Sequence, residues 1–401
     1  MAADSNIHFT PPTGWMNDPN GLIYHQGKYH LFYQHNPEAN EFGNIGWGHA
    51  ISEDLFHWEH LPIALPASEG KMIFSGCMVS DEQNCFAHPD GPALVAIYTE
   101  HLYESEEIYE QKIAYATSHD EGMTWDMSHP ERLAHPNSKD FRDPKVFWYA
   151  PEEKWVMLVA LSLEYRLEFY ESKDLKNWTK TSEFTAPAPK NHSWECPDLF
   201  PLTDENGEEK WVLTLSGDHP DGQGWGMYYF TGAFDGSSFS SKEEHQWLDH
   251  GHDFYAGITF EGTEDQIMLA WCGNWAYAQK LANTAWVGKM SQPRKLSVRE
   301  GRLCQSPYLP PHVLRNSMVF EGKITREESW QLSKADGSSL KLLISPDKIT
   351  LDRTESKLLS SHTELLHLDY DLEIQTAALY RHDDLVEVFL NEGAFVITER
   401  F

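Results

Sequence analysis

The sequence predicts an all-β protein, a five-bladed β-propeller followed by a small C-terminal β-sandwich. Three observations predict it. Short β-rich runs broken by Gly, Pro, Asn and Asp recur along the chain, and regularly spaced runs of this kind mark a sandwich, barrel or propeller. Polar clusters recur at steps of 57, 68, 52 and 58 residues, counted from Asp18 through Ser75, Asp143 and Glu195 to Asp253. A Pro-rich stretch then ends the pattern, and 85 residues of strand-like sequence follow it.

The clearest strand candidates are Lys28–Gln34, Ala93–Thr99, Lys154–Ala160, Lys210–Leu215 and Gln266–Trp271. Acidic-plus-Trp turns repeat at Asp54–Trp58, Asp120–Trp125 and Asp174–Trp178. Five units of this size, each with room for four short strands, argue for a propeller. The first strand of every blade lines the central channel. Asn17-Asp18, Ser75-Gly76, Arg142-Asp143, Glu195 and Asp253 are therefore expected to converge there. Turns in any β protein collect Asp, Gly and Trp, so the spacing by itself leaves a sandwich or a barrel open. The domain plan is a catalytic propeller over 1–304, a linker over 305–316 that contains Gln305–Pro311, and a short sandwich over 317–401. In the tail, strands are expected at Leu340–Ile344, Ile349–Asp352 and Leu365–Ile374. A closing hairpin, Val386–Leu390 to Ala394–Thr398, turns at Asn391-Glu392-Gly393.

Composition bounds the function. The chain has 401 residues, 40% of them hydrophobic, which is enough for a sizeable core. Aromatics reach 13%, with 15 Trp that serve as β-core packing and as flat faces for sugar rings. The net charge of −31 repels phosphate backbones and anionic lipid, so nucleic acid and membranes are poor partners. A small neutral sugar suits it better, while association into a homo-oligomer stays open. The five cysteines, at 77, 85, 196, 272 and 304, have no metal-ligand spacing and read as free thiols of a reducing compartment. Met1–Asn6 has neither a basic nor an apolar leader region, and no stretch approaches the roughly 20 apolar residues of a bilayer span. The expected location is cytoplasmic.

Three carboxylates stand out by their surroundings. Asp18 lies in Trp15-Met16-Asn17-Asp18-Pro19-Asn20-Gly21, Asp143 in Phe141-Arg142-Asp143-Pro144, and Glu195 in Trp194-Glu195-Cys196-Pro197-Asp198. Proline after Asp18 and Asp143 pushes both toward extended backbone, although Asp-Pro is also ordinary turn chemistry. Glycoside cleavage needs one protonated and one ionised carboxyl group. Glu195 has the less polar neighbours, so desolvation and nearby anions should raise its pKa and make it the acid. Asn17 and Asn20 can keep Asp18 ionised as a nucleophile. Asp143, beside Arg142, can stay charged and accept hydrogen bonds from sugar hydroxyls.

These three blocks resemble the signatures of glycoside hydrolase family 32, the invertases, sucrose-6-phosphate hydrolases, inulinases and levanases. Trp47–Ala50 through His57–Pro62, Asp253–Ala256, Trp286 through Arg294, and Glu387–Gly393 also fit its pattern, from about residue 8 to the end of the chain. The resemblance implies a five-bladed propeller followed by a β-sandwich, and hydrolysis of a fructosyl bond through a covalent fructosyl-enzyme intermediate, with no cofactor. It implies Asp18 as nucleophile, Glu195 as acid/base and Asp143 as transition-state stabiliser. Asn17, Gln34, Phe74, Ser75, Arg142, Tyr255 and Trp275 are the implied substrate-binding residues. Phe42 stands where many members have Trp, Cys77 where a small hydroxyl residue is more usual, and the C-terminal part looks short. No metal is expected, and His8, His49, His57 and His60 are read as structural. Rival readings remain: within the family, an inulin or levan hydrolase or a fructosyltransferase; outside it, a non-catalytic sugar-binding propeller, which would be expected to lose one of the acids, and an inverting propeller glycosidase, which would lack the first and third blocks.

Overall fold

The longest apolar runs of the sequence are strands buried on both faces. In Lys154–Leu161, side chains alternate between two cores: Trp155, Met157, Val159 and Leu161 enter one, and Val156, Leu158 and Ala160 the next. The run is continuous in apolar character because neither face meets water.

The computed structural model describes residues 7–86, 91–281, 285–308, 310, 317–358 and 367–401. It is all-β with almost no helix: its named elements are strands and a few three-residue 3-10 turns. No helix among the described residues is long and apolar enough to cross a membrane. Five sheets follow one another along the chain, opening with Gly14–His25, Lys71–Ser80, Phe141–Tyr149, Glu195–Thr203 and Tyr255–Thr259. Each runs antiparallel from its opening strand outward. Each opening strand touches the opening strand of the next sheet, and the fifth returns to the first. Five apolar cores fill the spaces between neighbouring sheets in the same cyclic order. Trp286–Val287, from the fifth segment, pairs in parallel with Gly14 and Trp15 and ties the ends of the ring together.

Two further four-stranded sheets follow. One holds Met318–Lys323, Thr376–His382, Leu385–Leu390 and Phe395–Arg400, the other Glu328–Ser333, Ser339–Ser345, Lys348–Asp352 and His367–Asp371. They share one core. The tail strands expected from sequence are present, but the one expected over Leu365–Ile374 ends at Asp371 and the last hairpin arm starts at Phe395; residues 365–366 lie outside the described residues, as does most of the 305–316 linker. Met318–Lys323, Glu328–Ser333 and Thr376–His382 are additional strands.

The repeated acidic-plus-Trp turns share one construction. Asp54 and Asp174 each accept the backbone N–H groups of the residues two and three positions later, Phe56 and His57 or Lys176 and Asn177, and Asp120 accepts that of Thr124. The Trp indole of each closes the turn on a backbone carbonyl three residues earlier, at Leu55, Gly122 and Leu175. A Ser two positions before each Asp completes the motif.

The opening strands are irregular. Pairing register slips in all five, at Met16/Pro19 and Asn20/Ile23, Phe74/Gly76, opposite Leu158/Ala160, at Glu195/Asp198 and at Tyr255/Ile258. Bulges bend a strand and re-aim its side chains. Left-handed residues sit at four of them: Gly21 (φ 52°), Asp143 (φ 60°), Cys196 (φ 45°) and Ala256 (φ 54°). Asp143 is therefore not extended, contrary to what Pro144 suggests. Two hydrogen bonds hold the strained turn: Asp143 N–H donates to Thr99 Oγ1 at 2.9 Å, and Cys196 N–H donates to Asp143 Oδ2 at 3.0 Å. Asp253 also departs from expectation. It precedes the Tyr255–Thr259 strand and accepts from Arg353 Nη1 and Arg400 N–H, both at 2.9 Å, so it faces the C-terminal sheets rather than the ring's interior.

Candidate active site

A pocket of about 260 Å³ opens over the bulged strands. It is lined by Asn17, Asp18, Gln34, Phe42, Phe74, Ser75, His101, Tyr109, Gln111, Arg142, Asp143, Glu195 and Trp275. The three acids come from the opening strands of the first, third and fourth sheets, and Ser75 from the second. Residues up to 177 positions apart thus meet because each opening strand lies beside the next.

Asp18 is held on both oxygens. Asn17 Nδ2 donates to Oδ1 at 3.0 Å, and Ser75 Oγ donates to Oδ2 at 2.7 Å. The Asn17 amide is fixed in turn by the Trp15 indole, 2.7 Å from its Oδ1. Asn20 donates to the Asp18 backbone carbonyl, not to the carboxylate. The Cys196 thiol lies between two acids, 3.4 Å from Asp18 Oδ2 and 3.7 Å from Asp143 Oδ2. Glu195 receives the Arg142 guanidinium on Oε1, at 2.8 Å from Nη2 and 3.3 Å from Nε, and the Tyr255 hydroxyl on Oε2 at 2.5 Å.

This arrangement reverses the protonation order expected from sequence neighbours. Burial raises Asp18, against the pull of Ser75 and Asn17. Burial likewise pushes Asp143 up to about 7, opposed by Arg142 and reinforced by the charges of Glu195 and Asp18. Glu195 is instead lowered: burial raises it, but the Arg142 charge and the Tyr255 hydroxyl outweigh that. Three carboxylates lie in one pocket with one guanidinium, so a proton is favoured among them. Its home is the Asp143–Asp18 side, because the strong donors point at Glu195.

Of the expected substrate-binding residues, Asn17, Gln34, Phe74, Ser75, Arg142 and Trp275 line the pocket. Tyr255 does not. It is 1% exposed and stands behind Glu195. Trp275 stacks on Trp15 at 5.9 Å and 26°, and Phe42 meets it edge-on at 5.5 Å and 88°. Cys77 lies in a core and accepts the Val146 N–H at 3.1 Å, with burial pushing its thiol up to about 12.

His101, Tyr109 and Gln111 also line the pocket and are not evident in the sequence motifs. They sit at the end of one hairpin, with His101 opposite Gln111 and Tyr103 opposite Tyr109. Polar residues facing each other beyond the apolar middle of this hairpin were the available signal. Gln111 Oε1 and Asp140 Oδ1 accept from Arg142 Nη1 at 3.4 and 3.2 Å, and Tyr109 donates to Asp140 at 2.7 Å.

A second cluster lies outside this pocket. His219 Nδ1 and His252 Nε2 approach the two oxygens of Asp221 at 2.6 and 3.0 Å. Their rings stack at 4.1 Å and 17°, so their in-plane lone pairs run side by side and do not converge on one point. A metal would require the rings to turn. As placed, the carboxylate links two imidazoles, each anchored on its far nitrogen, by the His250 carbonyl and by Glu399. His8 is likewise structural, 2.9 Å from Glu387, and His49 lies 3.2 Å from His30.

The family model described as "Glycosyl hydrolases family 32 N-terminal domain" matches residues 8–307. The chain is 42% identical over 329 residues to a levanase of Bacillus subtilis, an alignment covering 77% of this chain and 47% of that protein. It is 39% identical over 310 residues to invertase 2 of Saccharomyces cerevisiae, covering 73% of this chain and 57% of that one. It therefore spans about half the length of these relatives. The exo-inulinase of Aspergillus awamori superimposes with a TM-score of 0.89 at 29% identity, covering 98% of this chain and 92% of that one.

Proposed function

The chain belongs to glycoside hydrolase family 32, and on that footing we propose that it is a retaining β-fructofuranosidase of invertase type. Its substrates in this reading are sucrose, sucrose 6-phosphate or short fructo-oligosaccharides. The observation that carries the proposal is the meeting of Asp18, Asp143 and Glu195 in one pocket, each delivered by a different sheet. The five ring-forming sheets are read as the blades of a propeller (1–304), the segment 305–316 as a linker, and the two sheets of 317–401 as a β-sandwich. Five free thiols favour a reducing compartment, the cytoplasm.

In this mechanism the Asp18 carboxylate attacks the anomeric carbon of the fructosyl unit while Glu195 passes a proton to the departing oxygen. Water then attacks the fructosyl-Asp18 ester, Glu195 takes its proton, and Asp18 is released. Ser75 and Asn17 hold Asp18 in position for both steps. Arg142 and Tyr255 favour the ionised form of Glu195, so the acid must receive a proton before the first step. Sugar hydroxyls donating to Asp143 would favour the ionised form of that group and release the retained proton toward Glu195. Proton NMR of sucrose hydrolysis tests the reading: β-fructofuranose should appear first and mutarotate later. Release of the opposite anomer, or binding without turnover, would refute it.

The levanase and exo-inulinase similarities favour a second reading, a hydrolase of levan or inulin, which relative kcat/KM values on sucrose, 1-kestose, inulin and levan separate.

Tyr255→Phe should shift the pH profile. The mutation removes a hydrogen bond to the charged form of Glu195 and so raises that group's pKa. The alkaline limb of kcat, which reports the acid losing its proton in the substrate complex, should move to higher pH. A limb that stays in place would show that Tyr255 does not tune Glu195.

A further inference from the structure

Resting on the fructosidase reading and narrowing its substrates to the uncharged ones, we propose that this pocket selects uncharged fructosides and rejects those whose departing sugar carries a phosphate monoester. Binding a phosphate dianion calls for an uncommitted cationic fork or a helix N-terminus. Arg142 is the only Lys or Arg in the described lining, and its guanidinium is committed. Nη2 and Nε are on Glu195, and Nη1 is on Asp140 and Gln111.

The other basic group in the lining is His101. It lies flat on Phe74 at 4.3 Å and 9°, and its Nδ1 is 3.3 Å from the Gln111 amide. Burial, with the repulsion of Arg142, lowers it to about 4, so it is neutral near pH 6. With Gln111 donating to Nδ1, the Nε2 hydrogen is an uncharged donor suited to a hydroxyl.

Charge next to the lining residue Tyr109 points the same way. The turn between Tyr103 and Tyr109 carries Glu104, Glu106 and Glu107. The Lys139 ammonium sits within that acidic turn, 3.9 Å above the Tyr109 ring and 3.4 Å from the Glu107 carbonyl. The floor adds Asp18, Asp143 and Glu195. A dianion would enter a site already rich in negative charge, where like charges repel. Trp275, Gln111 and His101 offer an aromatic face and neutral hydrogen-bonding groups instead.

The test compares kcat/KM for sucrose and sucrose 6-phosphate at low and high salt, in the wild type and in Glu107→Lys. Sucrose should be preferred at least about 100-fold at low salt, the magnitude of roughly two tenfold steps of like-charge repulsion. High salt should narrow the ratio by screening. Glu107→Lys should narrow it too, while leaving sucrose turnover unchanged. A preference below about tenfold, or one for the ester, overturns the inference. Hydrolysis of neither sugar would remove the fructosidase reading instead. Binding then decides the charge inference: calorimetric affinity for the ester equal to or above that for sucrose overturns it, and weaker affinity upholds it.

Discussion

Asp18→Asn is expected to lower kcat on sucrose by at least about 1,000-fold without lowering the stability of the fold. The rate loss follows because an amide cannot form the fructosyl ester, and no other group in the pocket is placed to replace it. Glu195 is tied to Arg142 and Tyr255, and Asp143 to the Cys196 N–H. The stability expectation follows from the sign of the pKa shift. Burial raises Asp18 in the folded protein, so folding favours its protonated form. Above the unfolded carboxylate value near 4, stability therefore falls with rising pH until the pH passes the folded value, and the full cost of the ionised group remains above it. A neutral amide removes that cost at neutral pH. Ser75 can rotate its hydroxyl to accept from the new amide. The measurements are single-turnover kinetics and a thermal melt at pH 7. Activity within tenfold of the wild type would remove Asp18 from the nucleophile's role. A lower melting point would show that its charge supports the fold.

How much of this site the sequence displays depends on the distance over which each interaction acts. The three acids are legible because each sits in a compact block with its own prolines and tryptophans. Their protonation order is not. Glu195 is governed by Arg142 and Tyr255, 53 and 60 residues away, which reach it only when the third, fourth and fifth sheets stand side by side. Neighbours along the chain, Trp194 and Cys196, suggest a raised pKa because strand periodicity is hidden: Trp194 turns into a core and leaves Glu195 to the pocket. Asp253 fails for a related reason. It adjoins Tyr255 in sequence, but the bulged strand starts at Tyr255, and the preceding residues turn toward Arg353. His101 and Gln111 escape notice because their significance is a cross-strand pairing, ten residues apart around a hairpin. The repeated turns were readable from Asp and Trp, whereas the Ser that completes each is too common a residue to stand out.

Arg294→Met is expected to cost about 3–5 kcal/mol of stability, the loss typical when one partner of a buried ion pair is removed. Two sequence segments that seem unrelated, ending at Arg294 and opening at Glu387, are halves of this one interaction. The guanidinium is fully buried between the fifth sheet and the C-terminal sheets. It donates to Glu387 at 2.6 and 3.2 Å, Asp249 at 2.9 Å, Gln305 at 2.8 Å and Thr398 at 2.6 Å, and lies 4.0 Å over the Phe254 ring. Methionine would fill much of the volume but leave Glu387 and Asp249 without their cation. Burial pushes Glu387 up, yet Arg294 and His8 hold it at about 2. The sign follows directly. A carboxyl lowered in the folded state adds stability above its unfolded value near 4.5, and that stability fades as pH falls toward 2. In the variant, Glu387 can escape the penalty by taking up a proton. The gap between wild type and Arg294→Met should therefore be widest near pH 7 and shrink toward pH 4. Urea denaturation followed by tryptophan fluorescence at both pH values measures it. Arg299→Met supplies the comparison, because the Arg299–Glu392 pair is 50% and 73% exposed and should contribute under about 1 kcal/mol. A loss in Arg294→Met no larger than in Arg299→Met, or one that grows as the pH falls, would show that the contact between the ring and the tail does not depend on this buried charge.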